Sequence, residues 1–254
     1  MLNIVIPMAG RGSRFVAEGY TLPKPLIPVT GKPMIEWVIN NLRPRRDHRF
    51  VFICLGNHIT RYGIDELLHR LAPGCVVVTV NGVTEGAACT VLLAKDLIDN
   101  DEPLMIANSD QWVDIDINDY LASMDKNDSG GLIMTMWADD PKWSFVRFDK
   151  EGDVCEVVEK QVVSNEATVG IYNFRHGREF VAAAETMIYN NLRVNNEFYV
   201  APTYNQLINA GSHIGCYNVG READGMYGLG IPSDLQLFEH IASSRKLSCL
   251  EQIR

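Results

Sequence analysis

Two textures alternate along the first half of the chain. Short, nearly unbroken apolar runs stand at "LNIVIP" (2–7), "RFVFICL" (49–55), "CVVVTV" (75–80) and "PLMIANSD" (103–110). Between them lie stretches with helical spacing. In "MIEWVINNL" (34–42) the apolar positions are Met34, Ile35, Trp37, Val38, Ile39 and Leu42, which predicts a largely buried helix. "NHITRYGIDELLHRLAPG" (57–74) predicts a second helix, stopped by Pro73 and Gly74, and "GAACTVLLAKDLI" (86–98) a third. Continuous apolar strands alternating with helices predict a parallel sheet covered on both faces.

The texture changes after residue 112. "GLIMTMWA", "WSFVRFD", "DVCEVVE" and "ATVGIYNF" are consecutive strand-like runs, with a turn signal at "DKEGD" (149–153). "REFVAAAETMIYNNL" and "APTYNQLINAG" predict helices and "HIGCYNV" a strand. "PSDLQLFEHIASSRK" (232–246) predicts a closing helix with Pro232 in its first turn and Ser233 or Asp234 as cap. No repeat, low-complexity tract or linker interrupts the pattern. The expectation is one Rossmann-like α/β domain over residues 1–254. Its central sheet is mixed and mainly parallel, flanked by helices, with a small antiparallel subregion. The two halves are 1–112 and 113–254.

Composition narrows the function classes. The 254 residues are 46% hydrophobic and 22% charged, ordinary for a globular protein, and carry a formal net charge of −9. Such a chain is a poor binder of nucleic-acid backbones, so any anion site must be local. No apolar stretch approaches the ~20 residues needed to cross a bilayer, and no basic segment precedes an apolar one at the start. Neither a leader nor a membrane partner is expected. The six cysteines (Cys54, Cys75, Cys89, Cys155, Cys216, Cys249) form no C-x-x-C pair and sit mostly in apolar runs. They predict buried, reduced thiols and a cytoplasmic location.

The candidate chemistry opens with "GRGSRF" (10–15) and "LPKPLIPVTGKP" (22–33). The first is not a dinucleotide fingerprint, because Phe15 stands where the third glycine belongs. Nor is "TGKPM" a P-loop, since Pro33 follows the lysine. Glycines after a strand still expose consecutive N–H groups to an anion, and an arginine forks onto phosphate oxygens. Lys24, between Pro23 and Pro25, is predicted to be a cation on an extended, stiff strut. Taken alone, either piece also reads as a surface turn.

Together they resemble the signature of the sugar-phosphate nucleotidyltransferases, of the glucose-1-phosphate thymidylyltransferase and capsule-type cytidylyltransferase kinds. "PMAGRGSRF" and "PKPLIPVTGKPMIEWVI" carry the resemblance. It continues in order through "TEGAACTVLLAKDLI", "MIANSD", "VCEVVEKQVVSNEATVGIYNF" and "YGLGIPSDLQLFE". The resemblance implies an NTP, with CTP slightly favoured, joined to a phosphorylated small-molecule acceptor with release of pyrophosphate. Residues 1–112 would then be the NTP-binding half and 113–254 the acceptor-binding half.

It also implies site residues. Ala9, Gly10, Arg11 and Gly12 would wrap the triphosphate, Arg14 would pull on the β- and γ-phosphates, and Lys24 would meet the α-phosphate. Asp110 would hold Mg²⁺, the expected cofactor. Asn81, Thr84, Glu85, Gly86 and Ala87 would line the base pocket. Lys160 would contact the acceptor phosphate, with Glu159, Tyr172 and Glu197 beside it. Capsule or cell-surface polysaccharide synthesis is the implied setting, a homo-oligomer is compatible with the pattern, and no appended β-helix domain is expected.

Two positions depart from the family pattern. Gly228 stands where a second metal aspartate is usual, leaving Asp224 or Glu222 as substitutes or a single protein ligand. Gln161 replaces the usual proline after Glu-Lys. Both changes point away from hexose 1-phosphates and toward small phospho-compounds. The competing readings are a glycosyltransferase using a D-x-D motif at Asp114 and Asp116, and a nucleotide-binding homologue without catalysis.

Overall fold

In the computed structural model, which describes residues 1–244, the first half runs β1 (Leu2–Pro7), α1 (Ser13–Ala17), a 3-10 turn (Lys24–Leu26), β2 (Pro28–Val29), β3 (Lys32–Pro33), α2 (Met34–Leu42), β4 (His48–Leu55), α3 (Gly56–Tyr62), α4 (Ile64–Leu71), β5 (Val76–Val80), α5 (Ala87–Leu92), α6 (Lys95–Ile98) and β6 (Leu104–Ala107). The second half runs β7 (Gln111–Val113), α7 (Ile117–Lys126), β8 (Gly131–Trp137), β9 (Ser144–Phe148), β10 (Val154–Glu159), β11 (Glu166–Phe174), α8 (Gly177–Tyr189), a 3-10 turn (Ala201–Thr203), α9 (Tyr204–Asn209), β12 (Ile214–Glu222), β13 (Gly225–Gly228) and α10 (Pro232–Ser244).

The four apolar runs of the first half pair in parallel, in the order β5-β4-β1-β6. Their interiors carry Val, Ile, Leu and Phe on both faces, so helices must cover both sides. Beyond β6 the sheet continues β11-β8-β12-β13-β7, with β11 antiparallel to both β6 and β8 and β12 parallel to β8. β9 and β10 form an antiparallel pair branching from β11, and β2 and β3 form a separate two-stranded sheet. This is the expected mixed α/β architecture.

The parallel register aligns strand ends. Pro7 pairs with Ile53, Leu55 with Val80, and Val5 with Ile106. The segments that follow β1, β4, β5 and β6 therefore emerge at one carboxyl edge, where open α/β sheets present ligands.

α2 fits its predicted span, with seven of its nine residues buried. One of them is polar. Asn41 donates to the Val113 carbonyl and accepts from the Val113 N–H, each at 2.8 Å. That reciprocal pair bolts α2 to β7, the strand that begins directly after Asp110.

Three predicted elements differ. The helix expected over 57–74 is two helices, because Gly63 adopts φ 59° and closes α3 through its N–H to the Ile59 carbonyl. The helix expected over 86–98 is also two, since the N–H groups of Leu93 and Ala94 tighten onto carbonyls three residues back. Lys24 begins a 3-10 turn rather than an extended strut; only Pro23 before it is extended. α1, β7 and β13 are too short to show an apolar period, whereas α7, with Ile117, Tyr120, Leu121 and Met124 at helical spacing behind an Asp116 cap, carries a signal that the sequence reading passed over. Residues 245 and 246 of the closing helix, and Cys249, lie outside the described residues.

Of the described cysteines, all five are free. Cys54 and Cys75 are buried, Cys89 and Cys216 half-buried, and Cys155, contrary to expectation, exposed. Among the described residues no helix is long and apolar enough to cross a membrane.

Candidate active site

β1 ends in Pro7, and the buried Met8 and Ala9 lead into an exposed loop. Gly12 sits in the left-handed region at φ 60°, and its carbonyl takes the N–H groups of Phe15 and Val16. Among the described residues, the N–H groups of Ala9 through Arg14 have no intrachain acceptor. That leaves a run of backbone donors available to an anion, as a nest requires. A Cβ on Gly12 would stand 3.3 Å from the Cβ of Lys24, so loop and lysine are packed together. Arg11 and Arg14 are exposed and have no ion-pair partner among the described residues.

The Lys24 ammonium donates to the Asp110 carboxylate at 2.7 Å. Both side chains are about one-quarter exposed or less, so the pair lines the edge without being sealed from it. Asp110 is placed by its backbone. Its carbonyl accepts the Leu229 N–H at 2.7 Å, and a Cβ at Gly230 would stand only 2.5 Å from Asp110 Oδ2. On the other side Gly170, at φ 83°, lets β11 approach Asn108 and Gln111 more closely than any side chain would allow. Gly170 and Gly230 were not singled out in the sequence. Glycine inside the strand pattern "ATVGIYNF" was the available signal for the first.

A cavity of about 720 Å³ brings Arg11 of the loop together with Leu55, Gly56, Thr79 and Asn81 at the ends of β4 and β5. Of the other predicted base-pocket residues, Thr84 is occupied internally. Its hydroxyl bonds the Gly86 carbonyl at 2.9 Å and the Thr90 hydroxyl at 2.6 Å. The Glu85 carboxylate turns away to Arg193, at 2.9 Å. Gly86, at φ 136°, lies against the backbone of Phe198, where a Cβ would clash at 2.4 Å. The Glu85 carbonyl accepts the Phe198 N–H and the Phe198 carbonyl accepts the Ala88 N–H. The loop at 84–88 is thus zipped to the segment carrying Glu197.

Glu159 ends β10, nearly buried, and receives the Ser144 hydroxyl. Burial pushes its carboxyl up, reinforced by Glu197 and opposed by Ser144 and Lys160. Lys160 adopts φ 56°, donates its N–H to the Trp143 carbonyl, and lays its ammonium 5.3 Å from the centre of the Tyr199 ring. Burial, followed by Glu197 and Glu159, pushes the Tyr199 hydroxyl up. Glu159, Lys160, Glu197 and Tyr199 therefore form one cluster, of which the sequence did not indicate Tyr199. Tyr172 is buried, with its hydroxyl on that of Thr168 at 2.9 Å.

The D-x-D reading loses its second carboxylate. Asp116 caps α7 by accepting the Asn118 N–H at 2.9 Å, and it pairs with Arg45 at 2.8 Å. For a metal, no group of three or more His, Cys, Asp or Glu side chains gathers among the described residues. Mg²⁺ does not need one, because it takes one or two carboxylates plus phosphates and waters. Asp110 fits that requirement: a hard oxygen donor at the sheet edge, in space kept open by Gly230. Of the substitutes considered for the family's second aspartate, Glu222 is paired with Lys142 at 3.0 Å, and Asp224 sits in the β12–β13 turn.

The nucleotidyl transferase family model matches residues 4–199, which include the loop, Lys24, Asp110, Glu159 and Lys160. The chain belongs to the nucleotidyl transferase family. It is 29% identical over 175 residues to the low-salt glycan biosynthesis nucleotidyltransferase Agl11 of Haloferax volcanii, covering 67% of this chain and 48% of that protein. It is 27% identical over 212 residues to the bifunctional protein GlmU of Thermotoga maritima, covering 80% of this chain and 44% of that one. The chain thus spans less than half the length of these relatives. Among solved structures, the nucleoside-diphosphate-sugar pyrophosphorylase of Vibrio cholerae RC9 superimposes with a TM-score of 0.79 at 24% identity, over 93% of this chain and 99% of that one. The inositol-1-phosphate CTP transferase of T. maritima gives a TM-score of 0.72 at 13% identity, over 94% and 95%. Both share the fold.

Proposed function

We propose that this nucleotidyl transferase joins an NTP to a phosphorylated small-molecule acceptor, giving an NDP-linked product and pyrophosphate with Mg²⁺ as cofactor. The observation that carries the reading is the Lys24–Asp110 pair at the sheet's carboxyl edge, packed against a loop with free N–H donors.

The acceptor phosphate attacks the α-phosphorus in line; the P–O bond to the leaving pyrophosphate breaks as the new P–O bond forms. No general base is required, because a phosphate monoester is largely ionised near neutral pH. The work left to the protein is positioning and charge stabilisation. Ala9 to Gly12 hold the triphosphate through their N–H groups, and Arg14 draws on the departing β- and γ-phosphates. Lys24 leaves Asp110 for the α-phosphate and meets the charge that builds there. Asp110 would hold Mg²⁺, which when bound would supply charge neutralisation for the phosphates. Asn81, Gly86 and Ala87 border the base. Lys160 receives the acceptor phosphate, and Glu159, Glu197 and Tyr199 receive its polar groups.

An acceptor that is a small phospho-compound of capsule-type chemistry, with CTP as donor, follows from Gln161 and Gly228. The free cysteines suit a reducing, cytoplasmic setting. The test is pyrophosphate release with Mg²⁺ from each of CTP, UTP, GTP, ATP and dTTP against a panel of sugar, polyol and amide phosphates. Release that needs one NTP and one acceptor class supports the proposal. NTP binding without release from any pair contradicts it.

A further inference from the structure

Glu159 stands at the end of a chain of buried hydroxyls. β9 and β10 pair Ser144 with Glu159, and the Ser144 hydroxyl donates to Glu159 Oε2. The Tyr172 hydroxyl reaches Ser144, and the Thr168 hydroxyl lies 2.9 Å from that of Tyr172. All four side chains are buried. Thr168 and Tyr172 both belong to β11, where four residues of regular strand would span about 13 Å. Their hydroxyls meet because β11 bulges between them. It advances from Thr168 to Tyr172 while β8 advances only from Thr135 to Ile133, with Gly170 left-handed at φ 83° inside the bulge. A carboxylate only accepts, so the Ser144 proton is spent on Glu159. The Ser144 oxygen is left to accept from Tyr172, whose own oxygen accepts from Thr168. Every hydrogen then points toward Glu159 Oε2. The other oxygen, Oε1, lies 4.0 Å from the Lys160 ammonium.

We propose that Ser144, Tyr172 and Thr168 are positioning residues, whose hydroxyl chain saturates one oxygen of Glu159 and leaves the other for a hydroxyl or N–H donor of the acceptor. Tyr172 acts through Ser144 rather than by touching the acceptor. A buried chain with its donors aligned strengthens each bond and fixes the carboxylate it ends on. The Ser144 bond also favours the ionised carboxylate, as Lys160 does, against burial and Glu197. Lys160, Glu197, Tyr172 and Tyr199 are the charged and titratable groups coupled to Glu159. The inference rests on the acceptor role of Glu159 proposed above.

The test follows the side-chain carboxyl carbon of Glu159 by NMR of the full chain labelled with ¹³C-glutamate, the signal being assigned by its loss in Glu159→Gln. Removing a donor from the ionised form raises the titration midpoint. Ser144→Ala and Tyr172→Phe should each titrate higher than wild type, Ser144→Ala by the larger shift. Thermal melting of each variant checks the fold; if Ser144→Ala proves unfolded, Tyr172→Phe, which keeps the ring, decides alone. A midpoint unchanged in Tyr172→Phe overturns the proposal. Kinetics then use the NTP and acceptor that release pyrophosphate. Tyr172→Phe should raise the acceptor KM about tenfold with the NTP KM unchanged, and should add nothing further in a Glu159→Ala background. A merely structural role would raise both KM values, and a direct contact with the acceptor would persist in that background; either result overturns the proposal. Raised midpoints without pyrophosphate release from any substrate pair would instead count against the proposed function alone.

Discussion

The Lys24 ammonium lies 2.7 Å from the Asp110 carboxylate, so without substrate the cation proposed for the α-phosphate is held by the carboxylate proposed for the metal. Each neutralises the other at the sheet edge, and under the proposed reaction Lys24 would exchange Asp110 for the NTP and Asp110 would exchange Lys24 for the metal. Lys24→Ala should lower kcat on the order of 10²–10³-fold, the cost of one lost donor at a developing charge. Steady-state kinetics and NTP titration check this: kcat should fall much more than NTP affinity. A loss of NTP affinity with kcat unchanged would mean that Lys24 serves ground-state binding only.

Gly230 leaves the room in which the Asp110 carboxylate sits. A methyl group there would stand 2.5 Å from Oδ2, and moving the carboxylate breaks its 2.7 Å bond to Lys24. Gly230→Ala should therefore reduce kcat/KM about tenfold or more, since misplacement of about an ångström costs that much or more. Thermal melting should show little change, because the displaced atom is the tip of a partly exposed side chain. A large fall in melting temperature with unaltered kinetics would contradict this.

Burial of Glu159 makes the stability of the fold depend on pH. Its folded-state carboxyl titrates above the ordinary range because it is buried. The ionised form is therefore disfavoured in the fold. Stability declines as pH rises from the unfolded carboxyl's range through the raised folded one, and levels off above it. Glu159→Gln removes that ionisation and keeps an oxygen for the Ser144 hydroxyl. Melting curves should show the variant as stable as wild type or more so at pH 7, with the gap closing toward pH 4. Acceptor KM should rise. A variant less stable at pH 7 than at pH 4, relative to wild type, would contradict the assignment.

Asn41 holds β7 by two bonds to Val113 in a buried place. Asn41→Ala strips a partner from both backbone groups and should destabilise the fold by about 2 kcal/mol. Urea denaturation measures it; a change below about 0.5 kcal/mol would mean water replaces the amide without loss.

Much of this was legible in the chain. The four apolar strands and α2 announce themselves because burial on both faces leaves an unbroken apolar signature. Lys24 and Asp110 were named from motifs, yet their contact spans 86 positions and had no local signal. Sequence placed Lys24 on an extended strut where the chain makes a 3-10 turn, since two flanking prolines constrain their own φ but not the turn that Lys24 opens. β7 and β13 were missed because strands of three and four residues hold too few side chains to show a period. Tyr199 meets Lys160, whose backbone is left-handed, 39 positions away in the chain, a contact that no local residue pattern foretells.

The central claim is that the acceptor's phosphate attacks the α-phosphorus, and ³¹P NMR of a reaction mixture reads that bond directly. With the NTP and acceptor that release pyrophosphate, the account predicts a pair of mutually coupled diphosphate resonances, one from the acceptor's phosphate and one from the α-phosphate. They should appear together with pyrophosphate and be absent with Lys24→Ala. Appearance of free nucleoside monophosphate, with the acceptor phosphate's resonance unchanged, would show transfer to water and contradict the account.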